Sequence, residues 1–212
     1  MADKFRWGIL STGNIAKQFA RGLTAVEDAE LIAVGSRTQE AADAFGDEFN
    51  VPHRHPDYES LAADSDVDAI YVATPHPMHH ANAVLCLEHD KPVLLEKPFT
   101  LNAAEAKDVI LTARERGVFC MEAMWTRFLP AITRVREIIE AGEIGDVQMV
   151  HANFCFRADY NPESRLFKPE LGGGGLLDIG VYVVSFARMI MKNAPVDMRS
   201  LAVMGKSGVD DQ

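Results

Sequence analysis

The sequence is poor in the features that mark secreted, membrane-spanning and nucleic-acid-binding chains. Its three cysteines, Cys86, Cys120 and Cys155, lie about 35 residues apart and form no C-x-x-C pair. So sparse and odd a set argues against a disulfide framework and reads as reduced thiols of a cytoplasmic protein. Basic residues are in the minority, 21 Lys and Arg against 31 Asp and Glu, for a formal charge of −10. A duplex-binding surface is normally basic, so no nucleic-acid partner is expected. No apolar run approaches the ~18 residues of a membrane span, and the opening MADKFRWGIL lacks the apolar core of a signal peptide. Repeats and low-complexity tracts are missing too, apart from four glycines at 172–175. What is left is an acidic globular chain of 212 residues, about one and a half domains at ~150 residues each.

What is present is alternation of strands and helices. Apolar runs at 5–10, 31–34, 67–73, 92–95 and 118–121 are separated by helical patterns at about 14–23, 39–49, 79–88 and 102–116. Thr38 stands as an N-cap before the second helix. Continuous apolar strands spaced by helices of this length predict βαβ units and a doubly wound parallel sheet over residues 1–123. The pattern changes afterwards. A helix at 128–141, an alternating strand at 147–156, a helix at 176–191 and a strand candidate at 198–204 predict an α+β domain over 124–212, with an open antiparallel sheet.

Chemistry-bearing residues cluster after the strands. The first strand runs into Gly8-x-x-Ser11-Thr12-Gly13-Asn14-Ile15-Ala16, a dinucleotide-type turn with serine at the first of its three glycine positions. A plain tight turn is the competing reading. The second strand ends in Ser36-Arg37-Thr38 instead of an acidic residue, which favours the 2′-phosphate of NADP over the ribose of NAD. A solvated arginine beside a helix start is the alternative there. His76, His79 and His80 crowd the end of the third strand, and His53 and His55 form a second close pair in another loop. With no third ligand in sight, no metal is expected. A histidine lining a ligand cleft competes with one exposed at a helix start. Glu96-Lys97-Pro98 follows a buried strand and could place a cation beside a reacting oxygen. Asp178 and Tyr182, at i and i+4, would share a helix face as a proton-transfer pair; a cap and a packed tyrosine would give the same pattern.

Taken together, WGILSTGNIA (7–16), VGSRT (34–38), YVATPHPMHH (71–80), LLEKPF (94–99), MEAMWTRFLPA (121–131), GEIGDV (142–147) and GGGGLLDIGVY (172–182) resemble the Gfo/Idh/MocA oxidoreductase family. The last-but-two and last of these look most like its branch with trans-1,2-dihydrodiol dehydrogenase and NADP-dependent D-xylose dehydrogenase. The resemblance implies a Rossmann domain and a catalytic α+β domain whose open sheet often joins subunits into a homo-oligomer. It implies NADP contacts from Ser11, Thr12, Gly13, Asn14, Ile15, Ser36, Arg37, Thr38, Thr74, Pro75, His76, Glu96 and Lys97. Catalytic roles fall to Lys97, Asp178 and Tyr182, and the substrate cleft to His79, Trp125 and Arg127. Hydride would pass between NADP and a secondary alcohol, a cyclic trans-diol or an aldose. Tyr182 would exchange the hydroxyl proton and Lys97 would ease its ionisation, although a swap of these two roles stays open. Family members are usually longer, and GKSGVDDQ (205–212) resembles a point inside their sheet, so the chain reads as C-terminally truncated. An NADP-binding module and an inactive truncated product are therefore the alternatives to an active enzyme.

Overall fold

The computed structural model describes residues 4–211. The chain divides into two compact units, Met1–Ala123 and Met124–Gln212.

The first unit is built on six parallel strands, β1 (Phe5–Leu10), β2 (Ala29–Gly35), β3 (His53–His55), β4 (Ala69–Val72), β5 (Val93–Leu95) and β6 (Cys120–Glu122), in the order β3-β2-β1-β4-β5-β6. Helices α1 (Asn14–Leu23), α2 (Gln39–Phe49), α3 (Tyr58–Ala62), α4 (His79–Glu88) and α5 (Ala103–Arg116) cover both faces. Successive side chains of a strand point to opposite faces, which is why the strands read as unbroken apolar runs. Ile9, Val34 and Tyr71 enter one core with Ala16 and Phe45, while Leu10, Ala33 and Val72 enter the other with Leu61, Leu87 and Val109. Helix starts are fixed locally: the Thr38 hydroxyl accepts from Ala41 N–H, Asp57 from Ser60 N–H and Asn102 from Glu105 N–H. β3 and α3 are absent from the sequence expectation, because three and five residues are too few for a period to register. The strand order reverses direction between β1 and β4, where such sheets open a crevice at their carboxyl ends.

The second unit holds a 3-10 turn (Trp125–Phe128), α6 (Pro130–Glu140), a second 3-10 turn (Pro169–Leu171), a π-helical turn (Leu176–Gly180) and α7 (Val181–Met191). The expected open antiparallel sheet is not formed among the described residues. Residues 147–156 make no strand, and 198–204 contributes only an isolated antiparallel bridge, Met204 to Asp210. Alternation records which side chains would face water, but a strand also needs a neighbour to pair its backbone groups. A second departure concerns length. Pro169–Met191 is helical and apolar enough to cross a bilayer by length and composition, with a mean hydropathy of 1.5. That stretch is broken at Gly172 and Gly174, both at positive φ, and its buried Asp178 carboxylate pairs with the half-exposed Arg165 outside it.

Candidate functional site

The turn from β1 into α1 opens at the carboxyl edge of the first unit's sheet. Ser11 sits at φ 103°, in the left-handed region that favours glycine, and donates its N–H to Gly35 O at 2.9 Å. Gly13 is the extended N-cap of α1, whose first turn has neither a side-chain cap nor an acidic residue. A Cβ on Gly13 would meet only Ser11 Oγ, at 3.8 Å, so the space before these backbone N–H groups is open. An uncapped helix start fronted by open space suits an anion such as a pyrophosphate. Asn14 and Ile15 are exposed beside it. Thr12 Oγ1 lies 3.5 Å from Ser36 Oγ, linking this turn to the end of β2. Ser36 is buried and Arg37 exposed, and the Thr38 oxygen is already taken as the α2 cap. Burial raises the Tyr58 phenol above its ordinary value, and the nearby Arg37 charge opposes that rise. With no carboxylate at the end of β2 and a guanidinium in its place, these residues fit a phosphorylated ribose.

The second edge feature is the loop after β5. Glu96 is buried and receives the Tyr71 hydroxyl at 2.5 Å and Lys97 N–H at 3.1 Å. Burial lifts its carboxyl above the ordinary range, and the Glu122 charge adds to this; Tyr71, Lys97 N–H and the Lys97 ammonium act the other way. Glu122, at the end of β6, accepts Phe99 N–H at 2.9 Å. Lys97 itself is half-buried.

His79 corrects an expectation: it is not a cleft residue. It is fully buried, with Nδ1 2.7 Å from Pro98 O and Nε2 2.8 Å from Thr74 O. Asn82 Nδ2 donates to Thr74 Oγ1 at 3.1 Å. His79 therefore braces the Thr74-Pro75 turn against the loop that carries Lys97. Burial holds its pKa below the ordinary value, although hydrogen bonds to Pro98, Thr74 and Phe99 pull upward; the Lys97 charge adds to the lowering. His80 is drawn to Asp108 at 2.7 Å, and His76 stays half-buried in the turn His76–Met78.

In the second unit, Trp125 Nε1 donates to Tyr182 Oη at 3.0 Å, fixing the phenol oxygen. Tyr182 and Arg127 line one cavity of about 390 Å³ with His151, Asn153 and Ser185, and Arg127 reaches Ser185 Oγ at 3.4 Å. Asp178 lines another, of about 300 Å³, with Arg157, Asp210 and Asp211. It is buried and bound by Arg165 at 2.7 Å. Asp178 lies in the π-helical turn Leu176–Gly180, directly before α7, which carries Tyr182. The glycine run is shaped, not merely flexible: a Cβ on Gly174, at φ 111°, would come within 2.2 Å of Asp210 Oδ1. Tyr71 and Glu122 are site residues that the sequence reading overlooks. Their signal is a polar group inside or at the end of a buried strand.

Comparison with known proteins accounts for both units. A model of the oxidoreductase family with an NAD-binding Rossmann fold (GFO_IDH_MocA) matches residues 5–124, and the GFO/IDH/MocA C-terminal domain matches residues 132–212. The trans-1,2-dihydrobenzene-1,2-diol dehydrogenase of Mus musculus is 40% identical over 209 residues, 97% of this chain and 62% of that protein. The Homo sapiens protein of that name is 37% identical over 211 residues, with the same shares. This chain therefore spans 62% of the length of these relatives. Among solved structures, KijD10, a 3-ketoreductase from Actinomadura kijaniata in complex with NADP and TDP-benzene, superposes with a TM-score of 0.76 at 29% identity, over 89% of this chain and 58% of that one. Aldose-aldose oxidoreductase from Caulobacter crescentus shares the fold, with a TM-score of 0.86 at 24% identity over 98% of this chain and 65% of that one. With a match over each unit and relatives aligned along nearly its whole length, the chain belongs to the Gfo/Idh/MocA oxidoreductase family.

Proposed function

We propose that this protein is an NADP-dependent dehydrogenase acting on the CH–OH group of a secondary alcohol, a cyclic trans-diol or an aldose. The observation that carries the reading is the Lys97 loop. A lysine stands at the carboxyl end of β5, beside the crevice position of a doubly wound sheet, in a loop tied down by Glu96, Glu122 and the buried His79. A solvated surface lysine has no need of three such anchors.

Bound NADP would supply the carbon that accepts or returns the hydride. The N–H groups at Gly13, Asn14 and Ile15 would hold its pyrophosphate, and Ser36 and Arg37 would hold its 2′-phosphate. Lys97 sets an ammonium at the alcohol oxygen and stabilises the negative charge that develops there. Tyr182, its oxygen fixed by Trp125, exchanges the hydroxyl proton. Asp178, paired with Arg165, positions a substrate hydroxyl or the chain around it. The diol dehydrogenases and the NADP complex of KijD10 support the substrate class and the cofactor.

The test is turnover with NADP⁺ over a panel of trans-diols and aldoses, together with NADPH binding by fluorescence. Lys97→Met should lower kcat by ~100-fold or more and leave NADPH binding nearly intact. Undiminished turnover in that variant would remove Lys97 from the mechanism. A binding-only reading is favoured by one observation, the small number of apolar side chains that the second unit buries. NADPH binding without turnover on any member of the panel would select it.

A further inference from the structure

We propose that His53, His55 and Asp64 form a binding site for one divalent transition cation of the zinc type, at the β3 edge of the sheet. Nothing in the dehydrogenase reading requires such a site, and it stands apart from the Lys97 loop in sequence and strand.

The alternation of a strand places His53 and His55, two residues apart on β3, on the same side. Both rings aim at a single oxygen: His53 Nδ1 lies 2.7 Å and His55 Nε2 2.9 Å from Asp64 Oδ2. The three ligand atoms all fall within 4.8 Å of one another, the one such group of three among the described residues. Donors bound at ~2.0–2.1 Å to a tetrahedral ion stand about 3.3 Å apart. Small side-chain rotations therefore turn the present hydrogen-bonded cluster into a coordination set.

The surroundings are those of a ligand set. Asp66 N–H donates to Asp64 Oδ1 at 2.9 Å, which leaves Oδ2 turned toward the imidazoles. Lys91 Nζ donates to Asp64 O and Val67 O at 2.6 and 2.8 Å and pins the turn that carries the carboxylate. Such outer contacts orient metal ligands. The Asp64 side chain is only 8% exposed, yet the rings are 37% and 20% exposed. The site thus has a buried carboxylate floor and a solvent-facing side, from which water would supply the fourth ligand. Two imidazoles and one carboxylate suit Zn²⁺, Co²⁺ or Ni²⁺, whereas Mg²⁺ and Ca²⁺ prefer all-oxygen sets. His55 O also accepts Ser36 N–H at 3.1 Å, so a bound ion would stiffen the strand that flanks the Ser36–Arg37 loop.

The experiment uses the full chain, stripped with a chelator and dialysed. Zn²⁺ is titrated by calorimetry, Co²⁺ by its visible absorption, and thermal melts are recorded with each. The proposal expects one equivalent of Zn²⁺, a tetrahedral-type Co²⁺ spectrum, a raised melting temperature, and no response to Mg²⁺. His53→Ala with His55→Ala, and separately Asp64→Asn, should weaken binding ~10-fold or more. The Asp64→Asn variant, which retains an oxygen for Asp66 N–H, keeps the test usable if the double variant does not fold. No saturable binding would overturn the proposal, and so would binding that survives in the variants, since other histidines would then hold the ion.

Discussion

At the scale of single residues, His79 has the most to say about how the first unit is held. A fully buried imidazole with a carbonyl oxygen at each ring nitrogen ties two loops that are 19 and 5 residues away in sequence. Burial nevertheless holds its pKa below the ordinary value. A neutral ring then donates to one carbonyl at a time, and protonation inside the fold is opposed by the lack of water. In the unfolded chain the ring protonates near pH 6.5. The stability that depends on a neutral His79 is therefore complete above that pH and is lost as pH falls through it toward the folded-state value. Melting temperatures measured between pH 7.5 and 5 should fall more steeply for the native protein than for His79→Gln. Parallel slopes would show that the histidine titrates alike in both states. Ser11 is the other telling residue: it holds a left-handed backbone that glycine would adopt without strain, at the one position where the dinucleotide-type turn departs from its glycine pattern.

At the scale of elements, two glycines of the same edge separate packing from binding. Gly35, the last residue of β2, lies under α3; a Cβ there would stand 2.9 Å from Leu61 Cβ and 3.1 Å from Asp57 O. Gly35→Ala should lose ~1–3 kcal/mol in urea unfolding, because a backbone carbonyl and a packed leucine must both move. Gly13→Ala meets open space and should change stability by less than ~1 kcal/mol, while weakening NADPH binding by filling the anion's approach. Equal stability losses in the two variants would refute that division. The same contrast explains what could be read from the sequence. The long elements of the first unit were legible because their apolar residues repeat with a clear period, and Thr38 announces its helix. β3 and α3 were not, and with them went Asp64, which only the turn after α3 brings to His53 and His55. The π turn that carries Asp178 was not legible either, because spacing rules assume an α-helix and a π turn is not announced by composition. Residues 147–156 alternate like a strand but have no partner ladder.

At the scale of the whole molecule, the two units differ sharply in what they bury. The first holds two cores, one on each face of its sheet, from Ile9 and Leu10 to Val109 and Ala113. In the second, the buried apolar side chains among the described residues are Met124, Met189, Ile190 and Val209, while Met149, Val196, Met198 and Leu201 are largely or wholly exposed. Local opening is easiest where few apolar contacts and few shielded backbone hydrogen bonds must be broken. Amide exchange should follow that contrast residue by residue. The amides of β1, β2 and β4 should exchange only through global unfolding, with the full unfolding free energy as their protection. Those of α7 should be intermediate, and those of 147–160, which form neither helix nor strand, should exchange with almost no protection. Proteolysis at low enzyme ratio should cut first within the same stretch. If 147–160 proved as protected as β1, the stretch would have to be paired in solution, and the open sheet expected from its alternation would be present after all.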